Sequence, residues 1–391
     1  MSGLDTRVVH AGRDDFRALG VHTPPLDRST TYPLTSLASG TEDIDELAAG
    51  GHPVSSSVYS RLHNPTVARW ESAVASLEHA DEAIAFGSGM AAVTAALLAA
   101  GAAGHHVVAL RPLYGGTDHL LTSGLLGTRT TWTTADHVAD AIEQDTALVV
   151  METPSNPTLS LVDIAAVVEQ AGKVPVLVDN TFATPILQRP LDHGATWSLH
   201  SATKALGGHG DVMAGVIACD ADRARTLRQV RIGTGAVLDP QAAYLLHRSL
   251  STLALRVRAA QGNATELAAR LVDHPDVVRV CHPSLPSSDP HGLVGRQMDG
   301  PGGILAFEVA GGLSVAGRVM ETVELITPAV SLGSTDTLIE HPAGLTHRIV
   351  ASEAQTSGGI TPGLLRVSAG IEDVEDLWKD LDQAIGVAAS G

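Results

Sequence analysis

One lysine in a polar, glycine-flanked segment is the side chain best suited to covalent chemistry in this chain. Lys204 is the last residue of His200-Ser201-Ala202-Thr203-Lys204, and the glycine-rich stretch Gly207-Gly208-His209-Gly210 follows it. A lysine amine can hold an aldehyde cofactor as a Schiff base, and the hydroxyls of Ser201 and Thr203 suit phosphate oxygens. An ordinary surface lysine after a turn fits the same letters, so the surrounding motifs have to decide.

An acid at the end of an apolar run favours the chemical interpretation. Val176-Leu177-Val178 has the composition of a buried strand, and Asp179 follows it directly. A carboxylate at a strand end can pair with the protonated nitrogen of a pyridine ring. The lysine and the acid together predict pyridoxal 5'-phosphate as the cofactor.

Three further turns follow predicted strands and carry suitable groups. Gly87-Ser88-Gly89-Met90 begins a helix, where glycines let backbone N–H groups approach a phosphate and the helix start favours an anion. Tyr114 lies in a glycine-supported turn, from which its ring can stack on a pyridine and its hydroxyl can move protons. Asn156, beside Pro157, can donate to a phenolic oxygen or a substrate carboxylate. Taken singly, each also fits a plain turn.

Two arginines stand in contexts that suit an anion. Arg61, in Tyr59-Ser60-Arg61, offers a fork of donors for phosphate, although a surface turn explains it equally well. Arg366 interrupts the apolar run Leu365-Arg366-Val367-Ser368, which is costly unless the charge is paired. Its partner is either a substrate α-carboxylate or an internal acid in a structural salt bridge.

Bulk properties exclude several classes of function. The net charge of −18 over 391 residues argues against nucleic acid and anionic membranes as partners. Two distant cysteines and histidines without paired spacing give neither a disulfide framework nor a metal pattern, so no metal is expected. The first residues resemble no signal segment, and no apolar run is long enough to span a bilayer. We therefore expect a cytoplasmic protein.

Apolar strands alternate with helical patterns through the middle of the chain. Strands are predicted at 83–86, 106–110, 147–151 and 174–178, and helices at 71–78, 91–100 and 161–170. This alternation predicts a mostly parallel sheet covered on both faces, with ligands at the carboxyl ends of the strands. After a helical stretch at 240–273, shorter strands such as 304–309 indicate a second, α+β domain. The predicted units are a turn-rich arm (1–62), a large cofactor domain (63–250) and a C-terminal domain (251–391).

The ordered motifs resemble the Cys/Met-metabolism family of pyridoxal-phosphate enzymes, which includes methionine γ-lyase, cystathionine γ-lyase, cystathionine γ-synthase and the O-acylhomoserine sulfhydrylases. The resemblance covers nearly the whole chain and rests on Tyr59-Ser60-Arg61, Ser88-Gly89-Met90, Tyr114-Gly115-Gly116-Thr117, Asp179-Asn180-Thr181, Ser201-Ala202-Thr203-Lys204 and Leu365-Arg366-Val367-Ser368. It implies the aspartate-aminotransferase-like fold type I and a homotetramer built as a dimer of dimers. It also implies that Tyr59 and Arg61 reach the cofactor phosphate of the neighbouring subunit.

The resemblance implies roles for the remaining residues. Lys204 and Tyr114 are expected to move the protons of a γ-elimination or γ-replacement on a sulfur amino acid. Arg366, Ser331 and Asn156 are expected to contact the substrate. A non-catalytic relative with the same fold is a further alternative, which the intact lysine and tyrosine disfavour.

Four positions bear on the choice of substrate. Relatives that handle cystathionine often have acids where this chain has Val58 and Val330, and an arginine where it has His119. Two valines leave a distal ammonium unpaired and favour an apolar end such as an S-methyl group. Gly116 argues the other way, because methionine lyases typically carry cysteine there. The sequence therefore favours cleavage of methionine to 2-oxobutyrate, ammonia and methanethiol, with cystathionine γ-lyase, cystathionine γ-synthase or a specialised biosynthetic γ-substitution enzyme as alternatives.

Overall fold

The apolar runs of the middle of the chain form a seven-stranded sheet in the computed structural model, which describes residues 3–390. Its strands are β1 (Glu82–Phe86), β2 (His106–Leu110), β3 (Arg129–Thr133), β4 (Thr146–Glu152), β5 (Val176–Asp179), β6 (Trp197–His200) and β7 (Gly215–Cys219). The order across the sheet is β1-β7-β6-β5-β4-β2-β3. Only β7 runs antiparallel to its neighbours, so the predicted mostly parallel sheet is confirmed.

The N-terminal segment contains more helix than the sequence predicted. It forms α1 (Leu4–His10), α2 (Phe16–Leu19) and α3 (Leu37–Ala48). The prediction of a mixed, turn-rich arm did not include the third of these helices. Ser36 caps α3 by accepting from the backbone N–H of Ser39, and the Ser39 side chain bonds back to Ser36. This reciprocal cap sets the start of the helix, whose buried residues Gly40, Asp43 and Leu47 recur at helical spacing.

Helices cover both faces of the large sheet, as the continuous apolar strands predicted. They are α4 (Pro65–Glu78), α5 (Gly89–Ala99), α6 (Gly115–Thr122), α7 (Val138–Ala141), α8 (Ile164–Ala171), α9 (Thr184–Leu187), α10 (Ala221–Thr234) and α11 (Pro240–Leu250). Ile84 and Phe86 pack towards α5 and α10, while the alternate residues Ala83 and Ala85 face Trp70 of α4. Successive residues of one strand therefore pack into hydrophobic cores on opposite faces of the sheet.

Two helix starts differ from the sequence prediction because capping residues set them. α4 begins at Pro65 and not near residue 71, since the Asn64 side chain accepts from the backbone N–H groups of Thr66 and Val67. α8 begins at Ile164 and not at residue 161, since Asp163 caps it. The predicted helical stretch at 240–273 is two helices, α11 and α12 (Leu253–Val272).

The last third of the chain forms the predicted α+β unit. It contains β8 (Val277–Cys281), β9 (Ile304–Val309), α13 (Gly312–Thr322), β10 (Thr327–Pro328), β11 (Leu338–Glu340), α14 (Ser352–Ser357), β12 (Leu364–Ser368) and α15 (Val374–Ser390). The five strands pair in the order β10-β11-β12-β9-β8, with only β10 and β11 parallel.

The exact domain division at 62/63 and 250/251 stays a prediction. Residues 1–2 of the proposed arm and residue 391 of the proposed C-terminal domain lie outside the described residues. No helix within residues 3–390 combines the length and the apolar composition needed to cross a lipid bilayer.

Candidate active site

The carboxyl ends of the parallel strands and one wall of the C-terminal unit enclose a cavity of about 570 Å³. Twelve of the site residues predicted from the sequence line it. They are Ser88, Gly89, Met90, Tyr114, Asn156, Asp179, Ser201, Thr203, Lys204, Val330, Ser331 and Arg366. The fold thus brings residues from distant parts of the chain to the sheet edge where ligands bind in folds of this type.

Lys204 lies in this cavity, where its amine is hydrogen-bonded and has a lowered pKa. Its Nζ donates to the Ser331 hydroxyl at 2.8 Å. Burial, with a smaller effect from the positive charge of Arg366, lowers the pKa of Lys204 to about 8. Ser331 has a φ of 98°, which a non-glycine residue adopts only under strain. The C-terminal unit thus supplies the hydroxyl that binds Lys204, which lies between two strands of the large sheet.

Asp179 is held by two donors from one neighbouring residue. The hydroxyl of Thr181 donates to Asp179 Oδ1 at 2.5 Å, and the Thr181 backbone N–H donates to the same oxygen at 3.0 Å. Burial raises the pKa of Asp179, while these two hydrogen bonds and the nearby His200 oppose the rise. The Thr181 hydroxyl also accepts from the backbone N–H of Ser201 at 2.8 Å. Thr181 therefore supports both Asp179 and the segment that precedes Lys204.

The start of α5 has the geometry of a site that could hold an anion. Ser88 caps this helix by accepting from Ala91 N–H at 3.1 Å, and Gly89 and Met90 occupy its first two positions. A side chain at Gly89 would place its Cβ 2.8 Å from the Ser201 Cβ, so glycine is required for the two segments to meet here. Free N–H groups and the helix dipole at this point suit a phosphate.

The Thr203 hydroxyl is already engaged by the chain itself. It donates to the Ala214 carbonyl at 3.2 Å and accepts from the Ala214 N–H at 3.0 Å. A phosphate would have to draw this donor away from the carbonyl. Ser201, which also lines the cavity, is the less encumbered of the two hydroxyls.

Arg366 is paired with an internal acid, which is one of the two partners that the sequence left open. It also lines the cavity. Its Nη2 lies 2.9 Å from Glu340 Oε1, and both side chains are buried. Nη1 donates to Asn156 Oδ1 and Nη2 to the Ser331 carbonyl, each at 2.8 Å. Within residues 3–390, the Arg366 Nε has no hydrogen-bond partner. A buried donor without a partner indicates that a ligand oxygen completes the site.

These residues fit pyridoxal phosphate. Lys204 offers an amine for the aldehyde, Asp179 a carboxylate for the ring nitrogen, and the start of α5 a set of N–H groups for the phosphate. Tyr114, with 40% of its surface exposed, lines the same cavity and can cover one face of the ring.

Four of the residues singled out in the sequence lie outside this cavity. The Arg61 guanidinium donates to the Ile232 carbonyl at 2.9 Å and lies 5.7 Å from the centre of the Tyr59 ring. Val58, two residues earlier, has a positive φ of 58°. His119 lies on α6 and is exposed. Their predicted roles in cofactor and substrate binding stay predictions.

The sequence reasoning missed several residues that the fold brings to the cavity. Glu152 ends β4 and accepts the Tyr114 backbone N–H at 2.6 Å. Met213 and Leu345 add apolar wall, and Thr346 donates to Glu340 at 2.9 Å. For Glu152 a signal was present, because it is an acid at the end of an apolar run, as Asp179 is.

Comparison with known proteins decides the family. The family model that describes the Cys/Met metabolism PLP-dependent enzymes matches residues 5–386 of this chain. The chain belongs to that family. The predicted cofactor, pyridoxal phosphate, is thereby confirmed.

The relatives include enzymes of three related activities. An L-methionine gamma-lyase from Brevibacterium sandarakinum is 56% identical over 97% of both chains. One from Streptomyces avermitilis is 55% identical over 98% of this chain and 89% of its own length. Among solved structures, cystathionine gamma synthase from Xanthomonas oryzae superposes with a TM-score of 0.91 at 34% identity, covering 100% of this chain and 99% of that one. Cystathionine gamma-lyase from Lactobacillus plantarum gives 0.91 at 32% identity, covering 99% and 100%. These likenesses confirm the predicted fold type I.

Proposed function

We propose that this enzyme cleaves the bond between the γ-carbon and the sulfur of L-methionine. Methionine and one water become 2-oxobutyrate, ammonia and methanethiol. Among the described residues that line the cavity, the ionisable ones other than tyrosine are Glu152, Asp179, Lys204 and Arg366. Each of these has a partner or a task within the site already. No lining carboxylate is left to receive the distal ammonium of cystathionine, and this observation carries the proposal.

The apolar wall supports the same substrate. Val330, Leu345 and Met213 line the cavity, and each keeps a large exposed surface. Burying an ammonium against such side chains costs several kcal/mol, whereas an S-methyl group gains from the contact. The two L-methionine gamma-lyases, which are 56% and 55% identical to this chain, act on L-methionine by name.

The chain's own residues divide the work of this reaction. When bound, the cofactor supplies an aldehyde for the substrate amine and a ring that stabilises negative charge at the α-carbon. Lys204 would hold the cofactor and, as a free amine, would remove the substrate α-proton and then move a proton at the β-carbon. Asp179 keeps a proton on the ring nitrogen. Tyr114 donates the proton that the leaving sulfur needs.

Two residues orient the substrate for these steps. Arg366 offers its free Nε to the α-carboxylate, and Asn156, which accepts from Arg366 Nη1 and lines the cavity, has an amide group that can donate to a bound ligand. The hydroxyl of Ser331 accepts a hydrogen bond from Lys204 Nζ, so it can orient the lysine amine.

Substrate competition tests the proposal. We expect kcat/KM for methionine to exceed that for cystathionine, measured as 2-oxobutyrate and volatile thiol released by the purified enzyme. A Val58→Glu, Val330→Glu double variant should shift preference towards cystathionine, and the matched Val58→Gln, Val330→Gln control, which adds polarity without charge, should not. Equal or better wild-type turnover of cystathionine would promote cystathionine γ-lyase in place of this function.

We also propose a homotetramer, built as a dimer of dimers, in which Tyr59 and Arg61 complete the neighbouring subunit's site. Both residues lie outside the cavity of their own chain, and the start of α5 has anion-binding N–H groups without an arginine of its own. Subunit exchange between an Arg61→Ala and a Lys204→Ala variant should restore some active sites. Verified mixed dimers without recovered activity would assign the arm to its own subunit.

A cytoplasmic location is part of the same proposal. Cys219 and Cys281 are free and buried, as is usual where thiols stay reduced. The amino-acid substrate and the absence of a disulfide between these two residues are in keeping with that compartment.

A further inference from the structure

Two carboxyl groups stand side by side at the floor of the cavity. Glu152 is the last residue of β4, Asp179 is the last residue of β5, and the two are in register on adjacent parallel strands. Residues in register on neighbouring strands are about 5 Å apart and project to the same face of the sheet. Both side chains line the cavity.

Such a pair does not readily hold two negative charges. Adjacent buried carboxylates repel each other, so one of them keeps its proton. Asp179 has the better support as an anion, because the hydroxyl and the backbone N–H of Thr181 both donate to it. Glu152 receives the Tyr114 backbone N–H and is almost fully buried.

The charged surroundings assign the proton to Glu152. Burial raises the pKa of Glu152 well above its ordinary value, and the negative charge of Asp179 raises it further. The opposing influences are backbone hydrogen bonds from Tyr114 and Asn156 and the positive charge of Arg366 on β12. Arg366 is already paired with Glu340, which weakens its hold on a second carboxylate.

The contacts of Glu152 also reach both loops that carry site residues. Its Oε2 accepts from Tyr114 N–H at 2.6 Å, so it fixes the turn that places the tyrosine ring in the cavity. Its carboxyl group also lies beside the backbone of Asn156, on the loop that follows β4. One side chain thus sets the positions of Tyr114 and Asn156 relative to the strand ends.

We propose that Glu152 is a positioning residue that acts as an uncharged carboxylic acid. It holds the Tyr114 turn and the Asn156 loop at the cavity, and it leaves Asp179 as the single carboxylate that pairs with the ring nitrogen. The inference rests on the cofactor and is independent of the sulfur amino acid that the enzyme prefers.

Three substitutions in the cofactor-loaded enzyme separate this role from its alternatives. Glu152→Gln keeps the length of the side chain, accepts from Tyr114 N–H and is uncharged. Its kcat/KM should therefore stay within about threefold of wild type, measured with whichever of methionine and cystathionine the wild-type enzyme turns over faster. Glu152→Ala removes the acceptor, and Glu152→Asp is one methylene too short to reach it. Both should lower kcat about 100-fold, the usual effect of displacing a group by about 1 Å.

Two readouts do not depend on turnover. Infrared spectroscopy should show the carbonyl stretch of a protonated carboxylic acid in wild type, sensitive to deuteration and lost in Glu152→Gln. Circular dichroism of the bound cofactor should be unchanged in the Gln variant and altered in the Ala and Asp variants, because it reports the Tyr114 ring. Asp380→Asn is the matched control: this carboxylate has backbone partners far from the cavity, and its loss should lower stability and leave the cofactor signal unchanged.

Three results would overturn the proposal. If Glu152→Gln loses as much activity as Glu152→Ala, the negative charge matters and the residue is ionised. If Glu152→Ala retains wild-type kcat and circular dichroism, the residue positions nothing. If the infrared spectra of wild type and Glu152→Gln match in the carboxylic-acid region, the proton is elsewhere; this measurement stays decisive even if the alanine variant fails to fold.

Discussion

The buried pair of Arg366 and Glu340 allows substrate binding to be separated from stability. Arg366→Met removes the guanidinium and keeps an unbranched side chain of similar reach. The change breaks the 2.9 Å ion pair with Glu340 and the 2.8 Å hydrogen bonds to Asn156 and to the Ser331 carbonyl. It leaves Glu340 in the interior without its cation.

This one substitution should have two effects of different size, one on the free energy of unfolding and one on catalysis. Removing one member of a buried ion pair costs about 3–5 kcal/mol of the free energy of unfolding, and replacing both members by apolar residues recovers most of it. Losing the contact to the substrate α-carboxylate costs about 2–4 kcal/mol of transition-state stabilisation, which is about 30-fold to 900-fold in kcat/KM. The second effect is not recovered by removing Glu340 as well.

Four proteins provide the measurement: wild type, Arg366→Met, Glu340→Leu and the double variant. Urea denaturation midpoints should fall in both single variants and largely return in the double variant. Values of kcat/KM for methionine, homocysteine and cystathionine should stay low whenever Arg366 is absent. Recovery of kcat/KM along with stability in the double variant would show that Arg366 is purely structural. A loss confined to one substrate would instead assign Arg366 to the distal end of the pocket.

Other predictions concern single residues. Lys204→Ala should lose the visible absorbance of the lysine-bound cofactor and drop turnover by orders of magnitude; normal activity would contradict the reading of the whole site. Because burial lowers the pKa of Lys204 to about 8, the amine is neutral above that pH. The rate at which cofactor-free protein takes up pyridoxal phosphate should therefore rise with pH and level off above about 8, and a continued rise towards the ordinary lysine pKa would disagree. Asp179→Asn should leave folding intact and slow α-proton exchange of bound amino acids in deuterated water, whereas unchanged exchange would give the ring nitrogen another partner. Asp43→Ala removes an acceptor of the Ser55 hydroxyl and of three backbone N–H groups just before Tyr59, so limited proteolysis at residues 54–57 should increase; wild-type resistance would show that the clamp is dispensable.

The family and the cofactor follow from the sequence, and Lys204 is predicted to bind the cofactor, because the signals for all three are local. A strand that ends in an acid, a glycine turn that begins a helix and a lysine after two hydroxyls each span only a few residues. In a parallel sheet all such strand ends meet at one edge. The chain order of Ser88, Asp179 and Lys204 therefore already implies that they share a cavity.

Helix boundaries depended on residues that apolar periodicity does not detect. Asn64 and Asp163 set the starts of α4 and α8 through their caps, and Ser36 starts a helix in a segment expected to be mixed and turn-rich. These caps act through one or two hydrogen bonds, so they leave no periodic trace in the surrounding sequence.

Only the tertiary structure decided what the charged residues contact. Arg366 meets Asn156 across 210 positions of sequence, and Lys204 meets Ser331 across 127. The sequence indicated that Arg366 needed a partner, but both a substrate and an internal acid satisfied that requirement. The choice of Glu340, and the placing of Glu152 beside Asp179, depend on the register of neighbouring strands and on how the second sheet packs against the first. Those relations are set by the summed packing of the whole core, and no short segment of the chain specifies them.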